Sequence, residues 1–74
     1  MQFDKNYFES KWHQLKGNVK QKWGKLTDND IHQIEGVEEK MIGKLQEYYN
    51  LSYEEARKEL DNFKNEHYKE VQNA

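Results

Sequence analysis

Three sets of side chains could do chemistry in this sequence: the histidines, the clustered acids with their neighbouring hydroxyls, and the lysines. The histidines are His13, His32 and His67. No two of them stand three or four residues apart, the spacing that lets a helix present paired imidazoles to one metal. His67 ends an apolar stripe, which is the position of a packed or boundary residue. Asp28-Asn29-Asp30 resembles the opening of a calcium loop, but Gln33 occupies the sixth position, where such a loop turns on glycine. The hydroxyls of Thr27 and Ser52 stand where helix caps are expected. Ser10 has no His–Asp partnership around it, and no glycine-rich phosphate loop is present. The chain has no cysteine, which removes disulfides, thiolate metal sites and a thiol nucleophile. No nucleophile, activated base, metal or cofactor is expected.

The lysines are the remaining candidates. Residues 1–26 carry six lysines against Asp4 and Glu9, a net +4, and residues 27–74 carry six basic against twelve acidic residues, a net −6. Lys11, Lys16, Lys20, Lys22 and Lys25 are therefore candidate contacts for a polyanion such as nucleic acid. On a helical wheel they form two rows: Lys5, Lys16 and Lys20 flank one edge of the apolar arc, and Lys11, Lys22 and Lys25 flank the other. A nucleic-acid helix more often shows one continuous basic face. Split rows favour lysines whose stems lie over the core and whose ammonium groups reach nearby carboxylates.

These residues must be positioned by helices. Phe8, Trp12, Leu15, Val19 and Trp23 step by four, three, four and four. At ~100° per residue they share an arc of roughly 80°. Both tryptophans of the chain lie on it, so this face should be the seam on which the other segments pack. The predicted first helix is capped at Asp4, with Phe3 and Phe8 as a hydrophobic staple, and ends at Gly24 as a left-handed residue. Thr27 caps a short second helix over 28–35, with Asp30 completing a capping box and Leu26 and Ile31 in staple positions. Gly36 separates it from a third helix over 37–49, whose stripe is Val37, Met41, Leu45 and Tyr48, widened by Ile42 and Tyr49. Asn50 stops that helix. Ser52 and Glu55 form the next capping box, Leu51 and Ala56 the next staple. The fourth helix, over 53–67, shows Tyr53, Ala56, Leu60, Phe63 and His67 on one side. The polar tail 68–74 should fray, with Val71 able to extend the stripe.

The pole opposite the tryptophan arc holds Ser10, Gln14, Gly17, Gln21 and Gly24, an uncharged strip in a chain that is 35% charged. Gly17 in mid-helix costs ~1 kcal/mol relative to alanine. The strip is a candidate for close backbone approach by a partner or by a second copy; the alternative is that Gly17 touches another helix of the same domain or simply kinks its own. Gly17…Gly24-Lys25-Leu26 also matches Gly36…Gly43-Lys44-Leu45 at an offset of 19 residues, too short for a solenoid unit.

The chain has 74 residues, of which 34% are apolar. That is one domain with a small core and little net stability, so an enclosed pocket is not expected. Met1 to Lys5 shows no apolar signal region, and no run approaches the ~18 apolar residues of a membrane span. A soluble, cytoplasmic, preferably monomeric protein is expected, with no membrane association; its partner is left unknown, nucleic acid and protein being the candidates.

Leu15-Lys16-Gly17-Asn18-Val19-Lys20, Trp23-Gly24-Lys25-Leu26-Thr27-Asp28, Ile34-Glu35-Gly36 and Gly43-Lys44-Leu45-Gln46-Glu47 together resemble the CsbD-like family, in its tryptophan-containing YjbJ type. The resemblance covers about residues 12–60. It implies a bacterial protein linked to the general stress response, with an all-α fold of about four helices arranged as SAM-domain-like crossed hairpins. It implies no catalytic residues. The family usually places glycine where this chain has Asn50, and both residues accept a positive φ. The expected function is thus non-enzymatic, by binding or by protection. The alternatives are a polyanion-binding module using the basic first helix and a hydrophilic protectant acting by abundance.

Overall fold

The structure, a computed structural model, describes residues 7–73, with side chains described for 7–67. The cap expected at Asp4, its staple residue Phe3, Lys5 and the side chain of Val71 lie outside the described residues. Among the described residues five helices follow one another: α1 (Tyr7–Ser10), α2 (Trp12–Lys22), α3 (Asp28–Ile34), α4 (Glu38–Tyr49) and α5 (Tyr53–Asn73). No strand occurs among the described residues, so the chain is all-α.

The predicted first helix is two helices. Lys11, at φ −106° and ψ 10°, interrupts it. The Lys11 N–H closes α1 by donating to the Tyr7 carbonyl at 3.0 Å, and the Lys11 carbonyl opens α2 by accepting from Leu15 N–H at 2.9 Å. The apolar spacing survives this break. Phe8, Leu15, Val19, Trp23 and Leu26 are all buried, joined by Tyr7. Trp12 is only half-buried, its ring edge-on to Phe8 at 5.2 Å. The two indoles therefore differ: Trp23 sits in the core, 5.1 Å from the Phe63 ring, while Trp12 reaches the surface. Ile34, Met41, Ile42, Leu45, Ala56, Leu60 and Phe63 complete the core from the other helices.

The caps after α2 form as read. The Thr27 side chain accepts from the Asp30 N–H at 3.1 Å, and Asp30 Oδ2 accepts from the Thr27 N–H at 2.9 Å. Ser52 and Glu55 repeat the exchange at the start of α5, at 3.1 and 2.9 Å. Asn50 ends α4 in the left-handed conformation, φ 56°. α5, by contrast, does not stop near 67 but continues to Asn73.

Two expectations are corrected, and the offset-19 match is decided. Gly24 is not left-handed; Trp23 ends α2 at φ −115° and a turn from Trp23 to Leu26 leads on to Thr27. Val37 and Tyr53 are not on buried stripes, being 37% and 45% exposed. Each stands at a helix start, where the chain enters from outside the stripe. The offset-19 match is not a structural repeat either: Gly17 is helical and its counterpart Gly36 is left-handed, while Gly24 lies in a turn and Gly43 in mid-helix.

Gly36 sets the geometry. With Glu35 at φ 45° and Gly36 at φ 80°, two consecutive left-handed residues turn the chain from α3 into α4. Gly36 is buried there, pressed on the α1–α2 junction. A Cβ on it would stand 2.8 Å from the Glu9 Cα and 3.0 Å from the Trp12 Cβ. Backbone cannot retreat as a flexible side chain can, so both the conformation and the space require glycine.

The α4–α5 contact is the most extensive in the fold, and ion pairs reinforce it. Glu38 on α4 receives the Arg57 guanidinium at 2.7 Å and the buried Lys64 ammonium at 2.9 Å. Lys64 also lies 3.5 Å from Asp61. Removing Glu38 would take from Lys64 a counter-charge that it meets away from water.

Two substitutions check this description by urea denaturation. Gly36→Ala is expected to lose about 2–4 kcal/mol of stability, through strain and overlap with Glu9. Gly43→Ala, whose Cβ would enter open space, is expected to gain up to about 1 kcal/mol.

Candidate functional site

α3 stands between α2 and α4 as a short ridge with a groove on either side. The α2–α3 groove, of about 620 Å³, has the half-buried Trp12 and Ile31 in its lining, with Gly17, Lys16 and Lys20 along α2 and Asp28, His32 and Glu35 along α3. The α3–α4 groove, of about 670 Å³, is lined by His32, Gln33 and Glu35 on one side and Lys40, Gly43, Lys44 and Glu47 on the other. Both are open to solvent. Each borders a helix that carries a bare mid-helix glycine, and His32 and Glu35 are shared between them.

The strip Ser10, Gln14, Gly17, Gln21 and Gly24 is exposed throughout. Nothing lies within 4 Å of a Cβ built on Gly17, Gly24 or Gly43. A side chain at Gly17 would thus start into open space rather than against another helix, and α2 runs through it unbroken.

The five candidate lysines do not form one face. Lys20 donates to Asp28 across the mouth of the α2–α3 groove. Lys25 reaches the Tyr48 carbonyl at 3.4 Å and lies 5.1 Å from the Tyr49 ring centre. Lys22 lies 5.6 Å from the Trp23 ring centre, on the side toward α5. Lys11 is half-buried at the α1–α2 break. Lys16 is exposed on the α2–α3 groove.

The histidines are far apart in role. His13 is exposed on α2, His32 is exposed on the α3 ridge, and His67 packs its ring 4.4 Å from Phe63. Among the described residues, no three His, Asp or Glu side chains gather as a metal site would need. Glu39, twelfth from Asp28, is engaged by Tyr53 and Arg57 on α5 rather than by the Asp28–Asp30 segment. Asp28 and Asp30 instead open α3, where acids favour the helix dipole.

The electrostatic anchor beside the grooves is Asp30, which the sequence marks only as a capping residue. It is buried, 3.0 Å from the Lys44 ammonium on α4. The Thr27 backbone N–H, then Lys44, then the Tyr48 hydroxyl hold its carboxyl well below the usual carboxylate range, against the effect of burial. Asp30 in turn raises Lys44 and Tyr48 above their ordinary values. This cluster locks the ridge to α4. Its signal in the sequence is slight, because an acid at the third position of a helix is ordinary and its partner lies fourteen residues on.

Fold and surface define a small all-helical domain with a grooved exterior, in which no described helix is long and apolar enough to cross a membrane. The CsbD-like family model matches residues 6–58, and the chain belongs to that family. It is similar to UPF0337 protein pc0632 of Protochlamydia amoebophila, 50% identical over 64 residues, covering 86% of this chain and 97% of the relative. UPF0337 protein RPA4217 of Rhodopseudomonas palustris is 50% identical over 60 residues, covering 81% and 91%. UPF0337 protein YjbJ of Escherichia coli strain CFT073 is 46% identical over 56 residues, covering 76% and 81%. No solved structure matches.

The depressed Asp30 carboxyl has a pH consequence. The unfolded chain takes up this proton near pH ~3.9 while the folded chain still resists it. The stability it contributes is therefore complete above about pH 5, starts to be lost as pH falls through 4, and goes on being lost until pH passes the far lower pKa of the folded state. Urea midpoints followed by circular dichroism from pH 6 to 2.5 should fall less steeply in Asp30→Asn than in the parent. Equal slopes would contradict the assigned role.

Proposed function

We propose that this chain is a non-enzymatic protein of the bacterial stress response, acting in the cytoplasm by binding, with the α3 ridge and its two grooves as the working face. One observation carries the proposal. Two helices bordering that face each place a glycine where a side chain would meet only open space. Glycine there weakens the helix and serves no contact within the domain. The ridge itself is held at both ends, by the Thr27–Asp30 box and by Gly36, so the face is preformed. The SAM-domain-like crossing of hairpins belongs to the same proposal and is supported by the extensive pairing of α4 with α5.

The polyanion alternative is weaker in this geometry. Lys20, Lys22 and Lys25 are turned to Asp28, Trp23 and Tyr48–Tyr49 of their own domain. The protectant alternative has a loosely folded chain, against which stand ten fully buried large side chains, Phe8 and Phe63 among them.

Titration of ¹⁵N-labelled protein with extract of stressed bacteria, and separately with an oligonucleotide, tests the choice. Binding at the ridge should move the amides of Gly17, Ile31, His32, Glu35 and Gly43, and should survive 0.5 M salt in substantial part. Shifts confined to Lys11, Lys22 and Lys25 that vanish with salt would favour the polyanion alternative. Shifts elsewhere, or none, would defeat the working-face assignment.

A further inference from the structure

We propose that the α2–α3 groove is a self-association surface, occupied by the α3 ridge of a second copy of this chain. The inference rests on the ridge face being a binding surface and names one occupant for half of it. It departs from the monomer that the sequence favours, for a reason only the three-dimensional arrangement supplies.

The reason is the placement of charge. The two walls of this groove have opposite sign: Lys16 and Lys20 stand on α2, and Asp28 and Glu35 stand on α3 and its C-cap. Lys20 and Asp28 already pair with each other. Lys16 and Glu35 are exposed and have no partner among the described residues. A surface with one basic and one acidic wall complements itself under a two-fold rotation whose axis runs along the groove. That rotation lays the α2 wall of each copy over the α3 wall of the other. An axis across the groove would lay like on like. A closed pair of this kind is isologous, so every contact occurs twice.

Shape agrees with charge. Two concave surfaces would leave a void, but a small offset places each α3 ridge in the other copy's groove. The ridge is slim, seven residues long, with Asn29, His32 and Gln33 exposed and no large apolar side chain fully out. The groove that receives it has the half-exposed edges of Trp12 and Ile31, and Gly17 leaves the space that a side chain would fill. A standard interface takes about 800 Å² from each partner, roughly a sixth of the 5078 Å² that this chain exposes. A single short ridge and groove bury less, so the association is weak, reversible and salt-sensitive.

Sedimentation equilibrium of the purified protein, at low and high salt and up to millimolar concentration, tests the inference. No extract is present, so a negative result sinks self-association while leaving partner binding at this face open. The expected result is a monomer–dimer equilibrium that weakens with salt. Lys16→Glu or Glu35→Lys alone should weaken it by roughly tenfold, because each reversal creates two like-charge contacts. An equimolar mixture of the two variants should recover heterodimer, since both contacts are then attractive. Gly17→Met extends a side chain into the groove from a Cβ that meets nothing within 4 Å, and should keep the parent circular dichroism while losing association. A strictly monomeric parent overturns the proposal. So do variants that associate like the parent, or single reversals whose mixture gives no recovery.

Discussion

The close approach of Gly36 to the α1–α2 junction is the constraint on which the rest of this domain depends. Seven residues of helix have little stability in isolation, because nucleation costs more than so few hydrogen bonds return. α3 exists because it is fixed from outside. Its first turn is held by the reciprocal bonds between Thr27 and Asp30, and its end is held by the left-handed pair Glu35–Gly36. With no side chain, Gly36 lets the backbone settle against Glu9 and the Trp12 Cβ. That contact fixes the distance between α3 and α2, and hence the width of the groove between them. It also explains why the indole of Trp12 is left at the surface: the core side of that position is taken by Phe8 and by the turn itself.

Charge is distributed on the same plan. More than a third of the residues are ionic, yet the informative ones are few and face inward. Asp30 meets Lys44, and Glu38 meets Arg57 and Lys64. Each pair joins one helix to another, while the apolar residues supply the driving force for packing. Buried ion pairs of this kind add little net stability over apolar packing, but losing one partner is costly. The uneven charge along the chain is partly resolved in space, because Lys20 of the basic segment meets Asp28 of the acidic one.

What the sequence made legible was whatever depends on near neighbours. The apolar arc from Phe8 to Trp23, buried except at Trp12, the Thr27 and Ser52 caps and the Asn50 stop all rest on spacings of four residues or fewer. The interruption at Lys11 was invisible, because nothing at Lys11 itself demands it; the residues on either side of it, Glu9 and Trp12, lie against Gly36, far along the chain. The burial of Asp30 and Lys64 was equally hidden, since an ionic residue is buried only when a partner on another helix waits for it. Gly24 and Gly36 look alike in sequence, each following a helix, but only Gly36 has a backbone pressed against it. Of the candidate site, Gly17 and Lys16 were named, while their neighbours across the groove, Ile31, His32 and Glu35, could be joined to them only by the fold.

The glycines then separate into two kinds with different physical meanings. Gly36 is required by its own domain, through both its φ and its contact. Gly17 and Gly43 are required by nothing within it: each sits in a regular helix, each weakens that helix, and each faces open space. Features that oppose local stability without a compensating contact are expected where a chain serves something beyond its own folding. Both such glycines border the same ridge, on opposite sides, and the ridge is the one element whose position Gly36 fixes. The glycine that the fold cannot lose and the two that it does not need therefore converge on α3. In the function proposed above, this seven-residue ridge between two glycine-bordered grooves is gripped from outside, and the opposite signs of the α2 and α3 walls set the orientation.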